Sequence, residues 1–470
     1  MKNKSPWLIF TIVAVAQFMV VLDTSITNVA LPAIKQSLHF TPTALQWVIT
    51  AYALTFGGFL LLGGRAADLL GRRKMLQSGM IGFTIFSFLI GISHSAVVLI
   101  VLRALQGIAA ALMSPSALSI VLTTFHEGKD RNKALGLWTT VATGGAAVGL
   151  LLGGVLTQYF GWQWNFFINV PVGVFISIAI PRIVPLHEKE AAHNDLDLPG
   201  AALVTSGLIT FVYAISQSPV WGIGSVATLG TFAIAIVLLA GFIVNESRAK
   251  YPLMPLSIFK VRNVVGANLM MSPVAAAMYG MFFLTSLYIQ NILHFSPVTT
   301  GLSFLPFPII LGFMSTRIAR LVSKYGYKRF LIAGPLLIAL SVAWLSRLTV
   351  GGNYFIDILP TIVLMPIGVG MTFMPIIAAA TSGVPANEAG LASGLISTSQ
   401  QMGGALGLAI LSGVAAAVPL STSPLISLVQ GYDNAFLVAV IFVVVATILG
   451  VFIIKQQSQN IPQTTSVILE

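Results

Sequence analysis

Thirteen carboxylates stand in this chain of 470 residues, and only Asp23, in VLDTSITNVALP (Val21–Pro32), lies well inside a long apolar run. The basic counterpart is Arg103, in RALQG (Arg103–Gly107). An ionisable side chain in a hydrophobic span is expensive and marks a functional site by default. Counting helical rise from the ends of their runs puts Asp23 ~14 Å and Arg103 ~10 Å from the same side of the molecule, so the two can meet. A carboxyl group in a dry cavity holds its proton, whereas one beside a guanidinium releases it. A group that alternates between those surroundings carries a proton from one state to the other. The plainer alternative is structural: Asp23 bonds locally through Thr27 or Asn28, and Arg103 reaches an interface along its own stem.

Little else in the chain can do chemistry. Asp68, Glu127, Asp130, Glu188, Glu190, Asp195, Asp197, Glu246 and Glu388 fall in loops, Asp357 and Asp433 near span starts, and Glu470 in the tail. There are no cysteines, which excludes disulfides, thiol nucleophiles and thiolate metal sites. His39, His94, His126, His187, His193 and His294 sit in or near loops without ligand-like spacing. An enzyme, a metal site and an organic cofactor are therefore not expected, and a sensor or scaffold would need a soluble domain that the sequence lacks.

The elements that position the pair follow from composition. The chain is 56% hydrophobic and 8% charged, against about a quarter charged for soluble domains. Apolar runs long enough to cross a bilayer as helices recur throughout. The sequence predicts an all-α integral membrane protein with fourteen spans, roughly 8–32, 44–65, 75–94, 96–118, 136–158, 166–186, 199–217, 225–245, 263–291, 297–316, 329–347, 356–378, 391–418 and 434–455. The first run reads as a retained span, since no small-residue cleavage site follows it. Of the 24 basic residues, Arg103 is within a span, and only Lys35 and Arg347 fall on the side opposite Lys2 and Lys4. That bias places both termini in the cytoplasm and the chain in the cell membrane. It also accounts for the net charge of +11 as topology rather than nucleic-acid binding.

The sequence repeats itself at an offset of 255 residues. GRRKMLQSG (Gly71–Gly79) aligns with GYKRFLIAG (Gly326–Gly334), and GKDRNKA (Gly128–Ala134) with GVPANEA (Gly383–Ala389). Two related halves imply a transporter with its binding site between them. The expected organisation is a six-helix bundle over 1–190, two inserted helices over 191–262 and a second six-helix bundle over 263–470. At this offset Asp23 corresponds to Met278 and Arg103 to Ile358, so the ionisable chemistry is confined to the first half.

Several motifs then resemble one family. GRAADLLGRRK (Gly64–Lys74) suits a cytoplasmic latch: a glycine for close helix approach, Asp68 to cap a helix or pair with arginine, and a basic cluster at the anionic surface. It resembles the loop signature of the major facilitator superfamily at Gly64, Asp68, Gly71, Arg72 and Arg73, with Leu69 in place of the usual basic residue. Arg103, Gln106 and Gly107 match that family's Arg-x-x-Gln-Gly signature. Gly145, Gly149 and Gly153, followed by Gly154, line one face of a helix for close packing. With Gly136 they resemble the antiporter signature, except that Leu150 replaces a proline. LDTSITNVALP, WQWNFFINVPVG (Trp162–Gly173, with Gln163 where arginine is common) and GLASGLISTSQQMGGALG (Gly390–Gly407) resemble signatures of the fourteen-span drug:proton antiporters.

The resemblance implies export of small molecules driven by a proton gradient, by a monomer in the lipid bilayer. Phe18, Met19, Thr27, Trp47, Tyr52, Trp138, Tyr279, Phe282 and Phe283 are candidate lining residues for bulky lipophilic cargo. For each one, packing against lipid or core is the competing reading. Gln400 and Gln401 stand where an acid would help a dication, which favours monovalent or neutral substrates. An exporter of one endogenous metabolite, siderophore or peptide remains an alternative on the same fold. The glycine signature argues against an uptake symporter.

Overall fold

The computed structural model describes residues 5–125, 128–186, 196–382, 384, 389–418 and 423–454. Lys2, Lys4, His126, Glu127, His187, Glu188, Lys189, Glu190, His193, Asp195, Glu388, Lys455 and Glu470 lie outside the described residues, as does most of 383–388.

Among the described residues, fourteen helices of at least 16 residues follow one another. They are α1 Pro6–Leu38, α2 Thr43–Leu70, α3 Arg72–Gly91, α4 Ala96–Thr124, α5 Lys129–Tyr159, α6 Trp164–Ile183, α7 Leu198–Trp221 and α8 Val226–Arg248. Then come α9 Arg262–Asn291, α10 Pro297–Val322, α11 Phe330–Leu345, α12 Tyr354–Thr381, α13 Ala389–Ala416 and α14 Pro424–Ile453. No strand occurs among the described residues. Twelve of these helices are long and apolar enough to cross a membrane, against the fourteen spans expected. The other two are α11, whose 16 residues reach ~24 Å, and α13, whose apolar run is diluted by Gly, Ser and Gln.

Local chemistry sets the ends. Pro6, Pro297 and Pro424 start helices where an N–H is not needed. The side chains of Asp197, Ser225 and Ser296 accept the N–H groups of Gly200, Thr228 and Thr299 at 2.8, 3.1 and 3.2 Å. The internal repeat is visible in the backbone. His39 and His294, 255 residues apart, follow α1 and α9 with φ of 54° and 55°, and Gly71 and Gly326 follow α2 and α10 with φ of 102° and 76°. The packing repeats too: α1 on α5, α2 on α4 and α3 on α4 are matched by α9 on α13, α10 on α12 and α11 on α12. Helices α7 and α8 pair with each other, and α7 flanks α2 and α13 at the seam between the halves.

The seam is closed at one end. Around the end where α1 finishes, Val29, Leu31, Ile34, Phe40, Val48, Leu150 and Trp162 share one continuous core with the second half. Hydrogen bonds cross there: Ser286 Oγ to the Asn28 carbonyl at 3.0 Å, Gln290 Nε2 to the Val29 carbonyl at 3.1 Å, and Ser412 Oγ to Gln46 Oε1 at 2.5 Å. Towards the end where α1 begins, Ile9 to Val20, Leu76 to Phe83 and Ala109 to Phe125 form a core of the first half alone. We call these the closed and the split ends.

Candidate functional site

Asp23 and Arg103 meet inside the first half. Asp23 is 0% exposed and Arg103 1%, and Arg103 Nη1 donates to Asp23 Oδ2 at 2.5 Å. A buried carboxylate needs more than one partner. Gln106 Nε2 donates to Asp23 Oδ1 at 3.0 Å, and Asn169 Nδ2 reaches the same oxygen at 3.1 Å. The guanidinium is held in turn: Nη1 also donates to Gln106 Oε1 at 2.6 Å, and Nε to the Val48 carbonyl at 2.9 Å. Gln106 Nε2 further bonds Ser87 Oγ at 2.9 Å. The Tyr52 ring stacks 4.4 Å from the guanidinium carbon and Phe166 lies 5.8 Å from it. Five helices, α1, α2, α3, α4 and α6, thus each contribute a group.

Local bonding of the Asp23 side chain does not occur. Thr27 Oγ1 donates to the Asp23 backbone carbonyl at 2.7 Å, and Asn28 Nδ2 to the Thr24 carbonyl at 2.9 Å. The carboxyl group is left for the arginine. Ser87, Asn169 and Phe166 escaped the sequence reading. The available signal was Asn169 itself, an amide in the apolar run of α6.

The glycine face of α5 lies against the helix that carries Asp23. A Cβ on Gly145 would come within 3.3 Å of Phe18 and Val21; on Gly149, 2.8 Å from Ser25 Cβ and 2.9 Å from the Leu22 carbonyl; on Gly153, 2.9 Å from the Ile26 carbonyl. Gly154 instead faces the second half, where a Cβ would lie 2.6 Å from the Pro297 carbonyl. Gly136 has nothing within 4 Å. With Leu150 in place of proline, α5 runs unbroken for 31 residues. Gly107 packs α4 on α2, where a Cβ would strike Thr55 Oγ1 and the Tyr52 carbonyl.

At the split end, Arg72 Nη2 stands 3.5 Å from Asp68 Oδ1, and Arg73 Nη1 donates to the Val184 carbonyl after α6 at 3.2 Å. Gly71 supplies the left-handed turn between α2 and α3. The close approach expected of Gly64 belongs to its neighbour. A Cβ on Gly64 would be 3.8 Å from Pro115, in ordinary contact, whereas one on Gly63 would collide with the Ala111 carbonyl. Leu69 is buried, which explains an apolar residue at that position.

The candidate lining residues do not gather in one chamber. Trp47 packs on Tyr213, and its Nε1 donates to Ser216 of α7 at 3.4 Å. Phe282 packs on Phe304 and Phe307 within the second half, and Phe283 and Met19 are buried. Trp138 lies against the first-half core, and Phe18 against α5. Thr27 is spent on α1. Across the seam Tyr279 packs in the cluster that holds Trp47, its Oη bonds Gln401 Oε1, and the Tyr52 hydroxyl is buried without a hydrogen-bond partner.

Comparison with known proteins agrees with this architecture. The chain is 36% identical to the puromycin resistance protein pur8 of Streptomyces alboniger, over 98% of this chain and 93% of that one. It is 37% identical to the cephamycin export protein CmcT of Amycolatopsis lactamdurans, over 92% and 90%. The crystal structure of the POT family transporter PepTSo superposes with a TM-score of 0.69 at 17% identity, over 95% of this chain and 98% of that one. The Major Facilitator Superfamily profile matches residues 13–408. With a duplicated all-helical fold, a buried ion pair and full-length relatives, the chain belongs to the Major Facilitator Superfamily and is a multi-pass membrane transporter, not an enzyme.

Proposed function

We propose that this protein exports lipophilic small molecules, antibiotics among them, in exchange for protons, with Asp23 as the proton carrier. The observation that carries this reading is the buried cluster around Asp23. It is the deepest carboxylate among the described residues, held by Arg103, Gln106 and Asn169 and backed by the glycine face of α5. A rocking motion that slides α5 along α1 would reach Asp23 directly. Separation from Arg103 in a dry interior favours the neutral acid, and reunion favours proton release. One charge gains about 2.3 kcal/mol per 100 mV and each pH unit about 1.4, enough to drive uphill export.

The topology we infer has fourteen spans, both termini cytoplasmic and two six-helix bundles separated by α7–α8. In that orientation the split end faces the cytoplasm, the side from which an exporter loads. Two uncharged groups, Tyr279 and Gln401, at the seam suit monovalent or neutral cargo better than dications. A dedicated exporter of one compound is the second reading, favoured by relatives whose names carry a single antibiotic.

The test is a substrate panel in everted vesicles with a pH indicator, comparing wild type with Asp23→Asn. Substrate-induced proton movement is expected in the wild type and its loss in the variant, with normal membrane insertion. Undiminished proton-driven export by Asp23→Asn would overturn the assignment. Response to one compound alone would select the dedicated exporter.

A further inference from the structure

A second buried acid lies far from this cluster. Glu246, in the last turn of α8, is 4% exposed. Its Oε2 accepts the Met254 N–H at 2.9 Å, and its Oε1 has no hydrogen-bond partner. Beside it stands Asp197, 8% exposed, at the start of α7. Asp197 is fully served: Gly200 N donates to Oδ1 at 2.8 Å, and Asn245 Nδ2 lies 2.8 Å from each oxygen. A Cβ on Gly200 would sit 2.9 Å from Glu246 Oε1 and nearer still to Asp197 Oδ2, so both oxygens border one small space.

Two carboxylates this close and out of water do not both stay ionised. Asp197 has the N–H donors that hold a negative charge. Glu246 Oε1 has no hydrogen-bond partner and shares its small space with Asp197 Oδ2, so the arrangement is completed by an O–H on Glu246 that donates to Asp197. The surrounding N–H groups of Gly200, Asn245 and Met254 suit a shared proton and not a metal cation. Among the described residues, Asp197 is the titratable group that acts on Glu246. Helices α7 and α13 carry no other charged side chain. Arg248 and Lys250 are exposed, Lys250 lying over the Tyr251 ring at 5.4 Å, and on α2 Arg65 is exposed while Asp68 faces Arg72.

The pair has a place in the moving parts. The Met254 N–H that Glu246 accepts belongs to the linker from α8 to α9. In that linker Leu253 packs with Leu62 of α2 and Ala201 of α7, while Met254 packs beside Leu61 of α2 and Ala392 and Leu395 of α13. The linker therefore lies across the seam at the split end, touching both halves. We propose that Glu246 and Asp197 form a second proton-binding site, and that their shared proton clamps this linker to the α7–α8 hairpin. Loss of the proton sets two negative charges against each other, drives Glu246 away and frees Met254. This gives the inserted helices a task, and it does not depend on Asp23 carrying the coupled proton.

The chain has no cysteine, so spin labels can be placed at will. The purified full-length protein in lipid nanodiscs is labelled at Ser206→Cys and Ser257→Cys, both exposed, and the label separation is measured across pH. Infrared spectra record protonated carboxyl groups in the unlabelled protein. We expect a protonated-carboxyl band at neutral pH that is lost in Glu246→Gln and kept in Asp23→Asn. The label separation should broaden at high pH in wild type and in Asp23→Asn. It should stay narrow at every pH in Glu246→Gln, whose amide donates permanently to Asp197. A band that survives Glu246→Gln, or equal broadening in that variant, would overturn the proposal. Asp23→Asn failing to export while keeping both signals would separate this site from the coupling site.

Discussion

The two halves share a backbone but not a chemistry. Left-handed residues recur at the 255-residue offset, and the same helix pairs pack in each half. In the first half the centre is an ion pair with two amides. In the second half the equivalent positions are Met278, packed against the core, and Ile358, fully buried. Gln106 corresponds to Thr361, whose Oγ1 bonds the Ser341 carbonyl at 2.7 Å. Each half also packs a small-residue helix on its first helix, with Gly403 against Ser272 and Gly407 against Ala276 in the second. Duplication thus supplied two bundles of similar packing, while the buried ion pair was confined to one. On the exchange proposed above, a symmetric motion would serve an asymmetric chemistry, with the proton read in one bundle and the seam offered to cargo.

The comparison breaks most visibly at Arg103. Arg103→Met leaves a buried carboxylate without its charge partner, which costs about 3–5 kcal/mol and should appear as a large drop in the melting temperature of the purified protein. The double variant Asp23→Leu, Arg103→Met should recover most of that stability while transporting nothing. In the second half, Met278→Leu should cost less than ~1.5 kcal/mol and leave export intact. Equal damage from both single variants would mean that the halves are not chemically distinct.

Glycines sharpen the comparison at the next level. Gly149→Ala pushes a methyl group against the Leu22 carbonyl and Ser25, where backbone must yield, so we expect about 1–3 kcal/mol of destabilisation with a steep loss of export. Gly404→Ala meets the Tyr279 ring at 2.8 Å, and its loss should follow the cargo rather than the proton. Gly136→Ala, in open space, should be neutral or stabilise α5 by up to about 1 kcal/mol. Thermal unfolding and vesicle transport assays on the three variants check the order.

Much of this was legible because the membrane restricts what a sequence can say. A long apolar run in a membrane favours a helix, so the helical stretches emerged from composition, although twelve and not fourteen are long and apolar enough to cross a membrane. Rise per residue then brings Asp23 and Arg103 to one level. The alignment that links His39 to His294 was likewise visible in the chain. What could not be read is lateral position. Helical depth follows from counting, but which faces of α3 and α6 turn inward does not, so Ser87 and Asn169 were missed. The same limit misassigned the tight crossing to Gly64 when its neighbour Gly63 makes it. It also spread the aromatic residues over a single imagined chamber, although Trp47 faces α7 and Phe282 faces its own bundle. The sequence places Glu246 among the loop acids because a position at a helix end does not reveal that the 253–254 linker folds back onto it.

Smaller effects separate polar support from charge. Asn169→Ala removes a donor from a buried carboxylate and should cost about 1.5–3 kcal/mol, whereas Thr361→Val in the other half should cost about 0.5–1.5. Reversal of that order in melting experiments would argue against a charge-centred first half.

The smallest stability change should come from Asp68→Asn. The Arg72–Asp68 pair is long at 3.5 Å, and the Asp68 side chain is 44% exposed. Such a pair contributes at most about 1 kcal/mol, so melting should scarcely move. Transport is a different measurement. If the loop between α2 and α3 fastens the split end when it closes, Asp68 forms its important contacts in that other state, and Asp68→Asn should slow export at unchanged stability. If export is also unchanged, the basic cluster serves topology alone. The gating asymmetry would then rest on the buried pair and on the linker across the seam.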